Sequence, residues 1–82
     1  MILVDIEFSA INKQYDFKLD ENVYIAELID QIGKMVLPAG EKEYEEKIKD
    51  MLLCDDEHNR ILPLNQTLKQ SGIGNGCHLM VI

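Results

Sequence analysis

Thr67-Leu68-Lys69-Gln70-Ser71-Gly72-Ile73-Gly74-Asn75-Gly76-Cys77-His78-Leu79-Met80-Val81-Ile82 is the stretch that decides the fold. It reads as a short turn, a loop punctuated by glycines that supply positive φ, and a strand in which Leu79 and Val81 alternate with His78 and Met80. A matching alternation opens the chain: Ile2, Val4, Ile6 and Phe8 are interleaved with Leu3, Asp5 and Glu7, the period of a strand with one buried face. Tyr15, Phe17 and Leu19 alternate with Asp16, Lys18 and Asp20. The segment Ser9 to Gln14, with Asn12-Lys13 at its tip, is short enough to join the first two strands as a hairpin.

From about Asn22 the period changes. Ile25, Leu28, Ile29, Ile32 and Met35 or Val36 recur at three- and four-residue spacing, with Glu27, Asp30, Gln31 and Lys34 on the other side. This predicts an amphipathic helix of about fourteen residues, capped by Asp20, Glu21 or Asn22 and ended by Pro38 and Gly40. Residues 41–47, Glu-Lys-Glu-Tyr-Glu-Glu-Lys, fit either a short surface helix or a solvated loop. Ile48 to Cys54 reads as a third strand and Arg60-Ile61-Leu62 as a short fourth, joined by the polar turn Asp55 to Asn59. The expectation is an α+β fold, a mixed sheet packed on one amphipathic helix, with residues 1–82 as a single domain. A chain of this length buries only about 60 to 65% of its unfolded surface, so its core must be economical.

The net charge is −7, divided as −4 over residues 1–40, −5 over 41–57 and +2 over 58–82. An acidic chain without a basic stripe lacks the electrostatic footprint for phosphate backbones, which argues against nucleic acid and anionic membrane surfaces as partners. Met1-Ile-Leu-Val is followed at once by Asp5, so no signal peptide is expected. Apolar runs such as Met51 to Cys54 fall far short of the roughly 20 residues that span a bilayer. Cytoplasmic residence without membrane insertion follows as the expectation, with both cysteines reduced.

Thr67-Leu68, Ile73 five residues on, and Leu79-x-Val81 six further resemble the end of ubiquitin, and the element order matches the β-grasp plan over residues 1–36 and 48–82. Within ubiquitin-like proteins, the lengthened segment after the helix containing Pro38 and the chain's stop within a residue or so of the last strand resemble the YukD family, which includes EsaB. That resemblance implies a cytosolic accessory or regulatory factor of bacterial type VII (ESX-like) secretion, acting by protein contact with components of the machinery. Conjugating relatives carry a mobile tail ending in Gly-Gly. Ile82 is β-branched and stands at the end of a strand, which argues against activation of the carboxylate. A sulfur carrier or conjugated modifier is the alternative, and it requires that glycine pair; an excised domain of a larger membrane component is a third reading.

No catalytic, cofactor or metal site is expected. Gly72-Ile73-Gly74-Asn75-Gly76 is glycine-rich, but a phosphate loop needs a following helix and a strand follows here. Asp55-Asp56-Glu57-His58 are consecutive on a turn and cannot converge on a cation without distant partners, so they read as a solvated loop. Cys54 and Cys77 are expected on neighbouring antiparallel strands, with Cys77 on the core face where thiols are inert. His58 and His78 lie on different elements without a nucleophile nearby. What remains is an apolar stripe. If Ile2, Val4, Leu52, Leu79 and Val81 face the helix, alternation sends Leu3, Met51, Leu53, Met80 and Ile82 to the opposite face, flanked by Lys49 and His78. Leu3, Met51, Leu53, His78, Met80 and Ile82 are therefore the candidate protein-binding patch. In ubiquitin the corresponding face is the principal recognition surface.

Overall fold

Alternation over residues 1–19 becomes a hairpin in the computed structural model, which describes residues 1–36 and 50–82. Strands β1 (Ile2–Phe8) and β2 (Lys13–Leu19) pair antiparallel, from Ile2 opposite Leu19 to Phe8 opposite Lys13. Asn12 closes the turn at φ 52°, a left-handed conformation that asparagine tolerates better than most side chains. The aromatic rings of Phe8, Tyr15 and Phe17 then pack edge-on or tilted, with centroids 5.9 to 6.3 Å apart.

Helix α1 (Ile25–Val36) is slightly shorter than its periodicity predicts and begins later. The reason lies at its N-terminus. The carboxylate of Asp20 accepts from the Asn22 amide, forming a turn ahead of the helix. The first helical amides, Ile25 and Ala26, instead donate to the carbonyls of Gln66 and Leu64 at 2.8 and 3.2 Å. A distant loop thus does what the Asp20–Asn22 side chains were expected to do. Ile25, Leu28, Ile29 and Ile32 are buried as the spacing requires, and Val36 rather than Met35 packs toward the core. The stop at Pro38 and Gly40, the state of residues 41–47 and the start of the third strand at Ile48 lie outside the described residues.

Strands β3 (Leu53–Asp55), β4 (Arg60–Ile61) and β5 (His78–Val81) complete, among the described residues, a five-stranded sheet in the order β2-β1-β5-β3-β4. β5 runs parallel to β1 and antiparallel to β3, so the sheet is mixed and its first and last strands lie side by side. Ile6 opposite Leu79 and Phe8 opposite Val81 set the register. They put the buried faces of both central strands against Ile25, Leu28, Ile29 and Ile32 in one apolar cluster that also holds Leu53, Leu62, Leu68 and Ile73.

The loop into β5 is built as its glycines imply. Thr67 and Gln70 bond reciprocally, the Thr67 amide to the Gln70 side chain and the Gln70 amide to the Thr67 hydroxyl. Gly72 and Gly76 take positive φ, 76° and 81°, and a strand rather than a helix follows.

Asp55 departs from its expected place in a solvated turn. It is 1% exposed at the end of β3. His58 Nδ1 lies 2.8 Å and Arg60 Nε 3.3 Å from its Oδ2, and Arg60 also donates to the Ser71 carbonyl. One carboxylate therefore ties the β3–β4 turn, and through Arg60 the loop before β5, to the core edge. Burial by itself pushes this carboxyl up; hydrogen bonds from His58 and Arg60 outweigh it, and the net shift is downward.

Two outcomes are expected. Leu28→Ala, which empties a fully buried site on the helix, should cost about 2 to 5 kcal/mol in urea melts; a loss below about 1 kcal/mol would take Leu28 out of the core. Because the folded pKa of Asp55 is depressed, its contribution is complete above the unfolded value of about 3.9 and is lost as pH falls through the folded one. Asp55→Asn should therefore lower the urea midpoint at pH 7 and lose less than the parent between pH 5 and pH 2.

Candidate functional site on the outer face of the sheet

The sheet face turned away from the helix is assembled by pairing across strands. In one row Asp16, Asp5 and His78 are direct neighbours on β2, β1 and β5. In the next row stand Gln14, Glu7, Met80, Cys54 and Ile61. Beyond these, Leu52 and Ile82 exchange both backbone hydrogen bonds at 3.0 Å, which makes them directly opposite and puts their side chains on the same face as Met80 and Cys54. The face thus divides. Leu52, Cys54, Ile61, Met80 and Ile82 form an apolar surface over β3, β4 and β5, with Ile61 and Ile82 each at least half exposed. Carboxylates occupy the β1–β2 side.

Two members of the expected patch turn to the core side, and a third, Leu3, keeps its expected face but lies apart from the rest. Leu53 is fully buried in the core, and Met51 is partly buried against it. The third strand is out of phase by one residue with the expected alternation, which exchanges Leu52 for Leu53 and brings Cys54 to the surface. The run Met51-Leu52-Leu53-Cys54 is apolar at every position, so it carries no phase of its own. The phase comes from Asp55 held at the core edge and from Leu53 opposite Val81. Leu3 is exposed on the outer face but lies four residues along β1 from Glu7, the neighbour of Met80; at 3.3 Å per residue that is about 13 Å, across the Asp5–His78 row. Met80, Ile82 and His78 stay where alternation puts them. Lys49 is outside the described residues.

His78 sits where the two halves meet. Its Nδ1 is 3.1 Å from Asp5 Oδ2, and its Nε2 is 3.6 Å from Asp56 Oδ2 and 4.0 Å from Glu7 Oε2. Gln14 donates a further hydrogen bond to Asp5. A single imidazole is thus shared by three carboxylates, Asp5 and Glu7 from β1 and Asp56 from the turn after β3. Nothing local in the sequence marks this constellation, because Asp5 and His78 are neighbours only through the parallel pairing of β1 with β5.

Two other features carry less. Cys54 faces outward opposite Met80, and Cys77, immediately before β5 and three residues ahead of Met80, packs against the core. Their strands are antiparallel neighbours and Cys77 lies on the core side, as expected, but the two side chains point to opposite faces and are not direct partners; both are free thiols. The open depression lined by Tyr24, Ala26, Glu27, Leu64 and Asn65 lies at a helix start whose first two amides already bond to loop carbonyls. Among the described residues no group of three or more His, Cys, Asp or Glu side chains is arranged to hold a metal ion.

Over residues 3–81 the chain matches the family described as WXG100 protein secretion system (Wss), protein YukD. A search of curated protein sequences gives no match. Solved structures share the fold. An N-terminal ubiquitin-like domain determined in solution is 22% identical with a TM-score of 0.74, covering 99% of this chain and 72% of that one. The ubiquitin-like domain of an Arabidopsis thaliana protein is 22% identical with a TM-score of 0.70, covering 99% and 74%. Caldiarchaeum subterraneum ubiquitin is 16% identical with a TM-score of 0.73, covering 99% and 90%. At these identities the likeness is one of fold, the ubiquitin-like β-grasp.

The one-residue phase has a direct test. Leu53→Asp should leave the chain largely unfolded at 25 °C, because it buries an unpaired charge in the core. Met80→Asp, on the opposite face of the neighbouring strand, should shift the thermal midpoint by only a few degrees, as surface substitutions of about 0.5 kcal/mol do. Circular dichroism melts of both variants check this, and the reverse pattern would restore the original alternation.

Proposed function

Because this chain belongs to the YukD family of the WXG100 protein secretion system, we propose that residues 1–82 act as one non-catalytic ubiquitin-like module. It works in the cytoplasm as an accessory or regulatory component of type VII secretion. Its means of action is non-covalent contact with a protein of that machinery. The observation that carries the reading is the continuous apolar surface of Leu52, Cys54, Ile61, Met80 and Ile82 on the outer sheet face.

The physics favours that surface as the centre of an interface. Five apolar or weakly polar side chains on three adjacent strands exceed scattered exposure, and desolvating them supplies binding free energy that exposed ion pairs do not. Met80 lies in the middle of the apolar row between Glu7 and Cys54, and a flexible thioether adapts to a partner's shape. A standard interface covers about 800 Å² per partner, so these side chains form its core and the surrounding polar residues its rim. In keeping with a role by contact, the polar side chains gathered on the face among the described residues are acids, the amide of Gln14, the imidazole of His78 and, at the margin, Lys18.

Ile61→Asp combined with Met80→Asp should abolish recovery of the secretion component in a pull-down from the native host while leaving the melting curve nearly unchanged. If that variant still captures its partner, and neutralising Glu43, Glu45 and Glu46 prevents capture, the acidic segment is the binding surface instead.

A further inference from the structure

We infer that the partner seated on this face is cationic beside its apolar anchors, carrying lysine or arginine side chains that enter the carboxylate half of the sheet; the inference rests on the outer face being the docking surface. Two observations meet here. The first is the apolar surface, which needs a cover. The second is the composition of the ground continuous with it. Asp5, Glu7, Asp16 and Asp56 gather on the side of β1 and β2 and around His78. Among the described residues of the strands, Lys18, opposite Leu3, is the one lysine or arginine on this face.

Among the described residues, His78 is the one basic side chain in contact with these carboxylates, and a protonated imidazole offsets one negative charge of four. Asp5 and Asp16 stand directly opposite each other on paired strands, an arrangement of like charges that destabilises a sheet unless a cation relieves it. Arg60, which could have served, is engaged by Asp55 and the Ser71 carbonyl on the other side of β3. Glu7 borders Met80 and Asp56 follows Asp55 at the end of β3, so a cationic side chain reaching these acids would lie beside the apolar anchors. There water is partly excluded, and charge-assisted hydrogen bonds are stronger than on an open surface. An arginine fork suits two carboxylates flanking one imidazole. The same charge pattern disfavours a second copy of this chain as occupant, since both would bring a net charge of −7 and the same acids to the contact.

A peptide-display selection tests this. A random twelve-residue library is selected on the immobilised full chain, and each binder is remeasured on Ile61→Asp/Met80→Asp to retain only those that need the outer face. Face-dependent binders should be enriched in Arg or Lys next to apolar residues. They should lose about tenfold or more in affinity on Asp5→Asn/Glu7→Gln/Asp56→Asn, and weaken on the unaltered chain as salt rises from 50 to 500 mM. The salt series uses the parent protein, so it decides the matter even if the triple variant folds poorly. Face-dependent binders without basic enrichment and indifferent to salt would overturn the charge inference and leave the docking face intact. A selection that yields no face-dependent binder would instead overturn the docking face, and this inference with it.

Discussion

The parallel pairing of β1 with β5 is the constraint on which the rest of the molecule depends. It places the two ends of the described chain at the centre of the sheet, with Ile6 beside Leu79 and Phe8 beside Val81. Each neighbour then follows. β2 can reach only the free edge of β1, through its tight turn, and β3 only the free edge of β5. With the buried faces of β1 and β5 fixed, α1 has one place to lay Ile25, Leu28, Ile29 and Ile32. The outer face is fixed by the same act, because Asp5 beside His78 and Glu7 beside Met80 are consequences of that register.

How much of this was legible in the sequence varied with the length of each repeating signal. β1, β2 and α1 repeat their periods over enough residues to declare both type and phase, and the core positions of α1 are those its spacing names. The glycines before β5 likewise mean what glycines before a strand usually mean. The third strand is another matter. Three residues bordered by apolar neighbours cannot announce which side faces inward, and here the phase is held by a buried carboxylate and by pairing with β5. The candidate site inherited that ambiguity: Met80, Ile82 and His78 lie on a strand whose phase is plain, whereas Leu53 and Met51 lie on the one whose phase is not. The carboxylates around His78 were hidden for a different reason, since Asp5 and Glu7 reach it by contacts between residues more than seventy positions apart.

Family membership and face composition point in the same functional direction by independent routes. Membership ties the chain to a secretion system, and among the described residues the fold leaves Ile61 and Ile82 exposed on the outer side of the sheet. In the proposed complex, the division of that face into an apolar half and an acidic half would give a partner a defined orientation, because rotating it in the plane would set its cations on Ile61 and Ile82. Apolar burial would then supply affinity and the acids direction, the usual partition between hydrophobic and charged contributions at a protein interface.

The central pairing also governs how the chain can come to be folded. β1 is made first and β5 last, so the strand that completes the middle of the sheet arrives after every other described element has been synthesised. Until then Ile6 and Phe8 have no parallel neighbour, and the hairpin with α1 can be only a loose, partly assembled surface. Contacts so distant in sequence must close long loops before they are rewarded, which slows folding relative to helical proteins of this size. Until β5 pairs, β1 has an unfinished edge, and a net charge of −7 is the kind of surplus that opposes association of such partly assembled chains.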